Sequence, residues 1–442
     1  MNSIIVTVAK ALQRVVNEKA DELAKQTGFI QRVRKITGSN FVKTLVFCFL
    51  QNFTPSVEGI VRSGVSHELE ISAQGFHKRF NEEAAELMKE VLNEALKQMI
   101  EAQNKVAIDV LNRFTKVYLS DCTVINLDDS LHKLWAGTGG TGNTSKAALK
   151  IDTCLELQTG QLQCGLLPGK HSDNRSPLAN AEFEKGCLRI QDLGYFNLER
   201  MKAQADRGEY WLSRYQINTS VFDLHGEKIN LVDFLFKLKQ AGVYQYECEV
   251  VLGVNSQLKA RLLLWRLPEE ASGRARAKMK ENAANQGRVP KKENLALCDW
   301  KILLTNATPE LLEFKDCFLL YSVRWQIELL FKLWKSHGKL AISNSENPWR
   351  NLCELYAKFL ALIIQHWLVL TGFWHVPERS LVKAGQLIRE QSSRLAVCMN
   401  NLDALVSFLI DLSRRFNIGC RMNKRKKHPN TYQQLIDGYE FS

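Results

Sequence analysis

Apolar residues recur at helical spacing through residues 6–26, and Gly38-Ser39-Asn40 interrupts before a helix resumes at about Phe41. Thr54-Pro55-Ser56 starts another helix that Gly64 ends, Ser72 to Phe80 opens a further one, and Glu82 to about Asn104 predicts a longer one. The period then shortens. Lys116 to Leu127 is β-branched and apolar enough for a strand, and Lys146 to Leu157 with Gln161 to Leu167 flank Thr159-Gly160 as a hairpin. A helical piece at about 175–186 leads into a short strand, Cys187 to Asp192, then a helix to about Gln204 and a segment at Tyr210–Arg214. Residues 229–264 are β-rich, Trp300 to Asn306 reads as a strand, and a helix begins near Pro309. Core-like helices follow near 352–373, 380–397 and 402–416. This order predicts an α/β chain of five segments: a helical region 1–112, the first part of a core at 113–215, a β-rich insertion with a basic segment at 216–308, the completion of the core at 309–350, and a helical region 351–442.

One stretch carries more than a core pattern. From Tyr321 to Lys335 the apolar positions 320, 323, 327, 330, 331 and 334 mark one helix face. At 100° per residue Tyr321, Arg324, Glu328 and Lys335 share an arc of about 60° beside it. Alone, this is an amphipathic helix with ion-paired borders. Two other carboxylates change its weight: Asp121 in the middle of a strand, costly unless paired or metal-bound, and Asp192 at the end of a later one. Strands that can pair antiparallel, followed by alternating helices and strands, describe a ribonuclease-H-like α/β core, and the C-terminal ends of its strands are where ligands gather. Asp128, Asp129 and Asp173 are rival carboxylates. The run Gly137-Thr138-Gly139-Gly140-Thr141-Gly142 lacks the Lys-Ser/Thr of a phosphate loop and the strand-helix setting of a dinucleotide site, so it reads as a loop near DNA or the site.

The 442 residues carry a formal net charge of +12, concentrated at 32–35, 274–292 and 414–427, which favours a polyanionic partner. Arg274, Arg276, Lys278 and Lys280 are candidate phosphate contacts, as are Lys78 and Arg79 at the third helix of a helix-turn-helix-like module. Eleven cysteines stand singly and read as reduced thiols of a cytoplasmic protein, against a structural zinc site. No positive region precedes the first apolar run, so no signal peptide is expected. The apolar stretch Leu352 to Trp374 contains Glu354, Lys358, Gln365 and His366 and reads as a core helix; no membrane partner is expected.

The interval Tyr, two residues, Arg, three residues, Glu, six residues, Lys at Tyr321, Arg324, Glu328 and Lys335 resembles the signature of the DDE transposases of bacterial insertion sequences. The resemblance extends to Asp121-Cys122-Thr123-Val124, Ala147 to Ile151, Asp192-Leu193-Gly194-Tyr195-Phe196 and Leu304-Thr305-Asn306. Cys122 stands where a small polar residue is usual, and Leu193 where Arg often stands; neither removes a metal ligand. The resemblance implies a ribonuclease-H-like core interrupted by a β-strand insertion, and Asp121, Asp192 and Glu328 as catalytic ligands of Mg²⁺, two ions in all, with Mn²⁺ able to substitute. It implies Tyr321, Arg324 and Lys335 as phosphate contacts, and a tryptophan of the insertion, here Trp300, stacked on a flipped base, with a core role as the competing account. Double-stranded DNA, at element ends and target, is the implied partner, bound by a homodimer. Two alternatives stay open: a non-catalytic DNA-binding descendant acting as a repressor, and a nuclease that cuts without strand transfer.

Overall fold

A computed structural model describes residues 3–32, 35–139, 145–285, 287–343, 345–423, 425 and 429–437. Arg34, the second half of the glycine run, and Lys424, Lys426 and Lys427 of the basic tail lie outside the described residues. The architecture is α/β, with helical regions before and after a mixed sheet, consistent with a ribonuclease-H-like core carrying insertions. The chain divides into two compact units: Met1–Ile108, Asp121–Ser172 and Trp325–Ser442 form one, and Asp109–Ser120 with Asp173–Arg324 the other.

The second unit is built on strands. The first half of β1 (Val117–Asn126) pairs in parallel with β4 (Leu188–Gln191), which pairs in parallel with β5 (Tyr210–Arg214). The insertion then continues the sheet antiparallel. β10 (Trp300–Thr305) lies between β5 and β9 (Leu258–Arg266), beyond which come β8 (Gln245–Leu252), β6 (Val221–Phe222) and β7 (Lys228–Ile229). β4 is buried along its whole length, as expected of a central parallel strand covered on both faces. One core, including Trp211, Leu235, Val250, Leu262, Leu264 and Leu304, packs the insertion side of the sheet.

In this unit the helix expected at about 175–186 does not form. Only a single turn, Asp173–Arg175, is present. The reason lies on β4: the fully buried Arg189 guanidinium takes the backbone carbonyls of Leu178, Ala179 and Ala181 at 3.3, 3.1 and 2.8 Å, so those acceptors serve a side chain instead of a helix ladder. Glu209, also fully buried, neutralises Arg189 at 3.3 Å.

The first unit gathers the hairpin of β2 (Ala148–Glu156) and β3 (Leu162–Pro168) beside the second half of β1, together with the helices. The hairpin turn is held from within and from the helical region. Glu156 accepts the amides of Gln158 and Thr159 at 2.7 and 2.6 Å, His366 Nε2 meets the Gly160 carbonyl at 2.7 Å, and Trp374 Nε1 donates to Leu157 at 3.0 Å. Gly160 has φ +76°, and a Cβ there would stand 2.4 Å from the Trp374 ring, so both the backbone and the space require glycine. Gly38-Ser39-Asn40 begins a helix, Gly38–Gln51, instead of interrupting one, because Thr37 and Asn40 close a capping box. Among the described residues, Pro348–Leu370 is the one helix long and apolar enough to cross a membrane, and its apolar window is buried throughout. It packs on the helices Gly38–Gln51 and Glu82–Leu96.

Candidate active site

The stretch from Tyr321 to Lys335 is not one straight helix. Phe314–Val323 ends at Arg324, a new helix Trp325–Lys332 begins, and Leu333–His337 winds as a π-turn. Arg324 itself keeps right-handed helical dihedrals (φ −48°, ψ −31°), and the π-turn that carries Lys335 winds wider than the 100° per residue of an α-helix. The signature is shared between the units: Tyr321 and Arg324 in the second, Glu328 and Lys335 in the first.

In the second unit, Asp192 directly follows β4. It opens the one-turn helix Leu193–Tyr195, but its side chain makes no capping hydrogen bond. The carboxylate is partly exposed, and Arg324 Nε stands 3.8 Å from its Oδ1. Tyr321 is buried, and its hydroxyl forms no hydrogen bond of good geometry among the described residues. Burial pushes this phenol up to about 12, with Asp192 adding to the rise and Arg324 and Arg214 opposing it. Arg214, at the end of β5, is thus a further cation beside Tyr321 that sequence reading did not single out. The loop after Asp192 is fastened by Arg200, which donates to the carbonyls of Tyr195 and, at 2.7 Å, of Asn174.

In the first unit, Asp121 lies on β1, partly exposed, with Oδ1 accepting the Cys122 amide at 2.8 Å. Glu328 sits half-buried in the first turn of Trp325–Lys332. Lys335, in the π-turn, is half-buried, and desolvation holds its ammonium below the usual lysine range. Asp152, wholly buried on β2, lies 3.5 Å from Cys122 Sγ. The signal that could have found it was the charged pair Lys150 and Asp152 in the middle of a mostly apolar strand.

Two rival carboxylates have structural work. Asp128 Oδ1 accepts the Ser130 amide at 2.9 Å, and Asp129 Oδ1 accepts the Ser145 hydroxyl and Lys146 amide at 2.9 and 3.0 Å. The third, Asp173, faces Gly194, where a Cβ would stand 3.2 Å from Asp173 Oδ2. Among the described residues no three His, Cys, Asp or Glu side chains form a ready-made metal cluster.

The outlying candidates separate by exposure. Trp300 is 5% exposed and belongs to the core of the second unit, which supports the core account over base stacking. Trp325 is 52% exposed. On the helix Glu269–Ala284, Arg274 is ion-paired to Glu270, and Arg276 to Glu269 and Asp299, whereas Lys278 and Lys280 are exposed. Lys78 and Arg79 are exposed just after the five-residue helix Ala73–His77, which is short for a groove-reading helix.

Residues 112–364 match the family model of the transposase DDE domain. The chain is 28% identical over 375 residues to the transposase for insertion sequence element IS231F of Bacillus thuringiensis subsp. israelensis, covering 80% of this chain and 78% of that one. It is 26% identical over 444 residues to the IS231C transposase of Bacillus thuringiensis subsp. berliner, covering 94% and 91%. The IS1151 transposase of Clostridium perfringens is 24% identical over 393 residues, covering 84% and 82%.

Proposed function

The chain belongs to the DDE transposases of bacterial insertion sequences, and from that premise we propose that it cuts double-stranded DNA at insertion-sequence ends and joins the freed 3′ hydroxyl to target DNA. The observation that carries this reading is the register of β1 on β4: Ser120 pairs with Gln191, and each is followed at once by an aspartate, Asp121 and Asp192. Glu328 supplies the third carboxylate. Three hard oxygen donors suit Mg²⁺, with Mn²⁺ in its place, over softer metals. Their gathering around the ions is part of the proposal. When bound, two such ions supply the Lewis acidity that activates the attacking oxygen and stabilises the leaving one.

The chain's own groups position the phosphate. Arg324 beside Asp192 brings a guanidinium suited to bidentate phosphate binding. Tyr321, its phenol pushed to about 12, stays protonated at neutral pH and acts as a hydrogen-bond donor, not as a base. Lys335 carries a charge that burial disfavours, so a phosphate at hand offsets part of that penalty. In each step an oxygen adds to phosphorus in line as the P–O3′ bond breaks and the 3′ hydroxyl leaves. Two element ends need two active sites, so the DNA-bound form is proposed to be a homodimer.

The test is Mg²⁺-dependent cleavage and strand transfer on DNA carrying the element ends, with Asp121→Ala, Asp192→Ala and Glu328→Ala beside the parent. Each variant is expected to bind DNA and to lose cleavage; full cleavage by any one removes that residue from the site. A parent that binds but never cuts in Mg²⁺ or Mn²⁺ is a non-catalytic descendant, and one that cuts without transferring ends is a nuclease.

A further inference from the structure

A cavity lies within the first unit, away along the chain from the signature carboxylates. It is about 480 Å³, bounded by the helices Gly38–Gln51, Val57–Gly64 and Leu381–Cys398. Apolar side chains share its lining with Gln51, Asn52, Arg62, Ser63, Ser66, Ser392 and Ser393. No carboxylate lines it among the described residues. Arg62 is exposed, and its side chain makes no ion pair or hydrogen bond among the described residues. Asn52 has its carbonyl oxygen committed to the Thr54 amide at 3.0 Å, which leaves its NH₂ as the outward group. Pro55 and Gly59 also line it, but the Gly59 amide is already capped by Ser56 Oγ at 3.2 Å, so the polar side chains carry the cavity's donor character.

A guanidinium, an amide turned donor-outward and several hydroxyls, without an acid, select an anion with several acceptor oxygens. We propose that this cavity seats one backbone phosphate of DNA, with Arg62 as its ion pair and Asn52, Ser66 and Ser393 as neutral donors; the proposal rests on the chain acting on DNA. The volume exceeds one phosphate and accommodates its adjoining sugar. Exposure of Gln51, Asn52, Arg62, Ser66 and Ser393 opens the mouth to a polymer. Glu58, one helical turn before Arg62 and electrostatically coupled to it, is the opposing charge.

Fluorescence anisotropy of a labelled random-sequence duplex across a salt series, without metal, tests this independently of cleavage. Arg62→Ala is expected to raise Kd about five- to tenfold at low salt and to lower the slope of log K against log salt by about 0.9, one phosphate's share. Glu58→Gln is expected to tighten binding, a gain that misfolding does not produce. Unchanged affinity and slope in Arg62→Ala overturns the proposal, provided circular dichroism shows the parent fold. A parallel arm adds pyrophosphate and follows the thermal midpoint. If Arg62→Ala abolishes a pyrophosphate-induced rise while the DNA slope stays at the parent value, the cavity serves a free phosphate compound and the DNA assignment fails. Loss of cleavage with this salt behaviour intact would count against the catalytic reading alone.

Discussion

Replacing Trp300 separates a core residue from a DNA-stacking one. At 5% exposure almost the whole side chain is out of water. An aromatic ring of its class buries about 150–250 Å², which at about 25 cal/mol/Å² corresponds to about 4–6 kcal/mol. That is an upper bound, because the unfolded chain already hides some of this surface; truncations of buried aromatics to alanine cost about 3–5 kcal/mol. For a unit of this size each kcal/mol moves the thermal midpoint by about 2–4 °C, so Trp300→Ala is expected to lower the midpoint by about 6–20 °C. Trp300→Phe keeps most of the volume and loses less. The assay pairs thermal unfolding by circular dichroism with DNA cleavage measured well below the midpoint. If Trp300→Ala keeps the parental midpoint while cleavage falls a hundredfold, the ring works on DNA and the core assignment is refuted.

Burial holds the Lys301 ammonium, stacked 5.5 Å from the Phe318 ring, down to about 8 from 10.5. Its folded pKa is therefore the lower one, and between about 8 and 10.5 the unfolded chain binds more protons, so its contribution to stability rises with pH across that window. In Lys301→Met the thermal midpoint is expected to rise at pH 7 and to lose that pH-dependent increase; an unaltered pH profile contradicts the account. Glu209→Ala leaves the fully buried Arg189 without its carboxylate and is expected to cost about 3–5 kcal/mol in urea unfolding. A loss under about 1 kcal/mol would show that the backbone carbonyls alone hold the guanidinium. Lys335→Met should leave the fold as stable as the parent or more so, since a half-buried charge is removed, while DNA affinity and its salt slope fall. Equal salt slopes in parent and variant would take Lys335 out of phosphate contact.

Much of this protein is determined by sequence periodicity. The change from helical to strand spacing near 113, the hairpin around Thr159-Gly160, the insertion strands and the core helix at 352–373 depend on local propensity and on which positions repeat, both properties of neighbours in the chain. The spacing from Tyr321 to Lys335, Asp121 within its strand and Asp192 just past another are equally local, and they suffice to indicate the family. Tertiary structure decided what happens when distant groups compete for the same atoms. Residues 176–186 have no intrinsic bar to helix; they lack one because Arg189, on another element, takes their carbonyls. Asp128 and Asp129 resembled rivals of Asp121 until their hydrogen bonds to Ser130, Ser145 and Lys146 showed them holding loops. The burial of Trp300 follows the same logic: charge type and spacing are written locally, but exposure and the partner of a polar group depend on what packs against it.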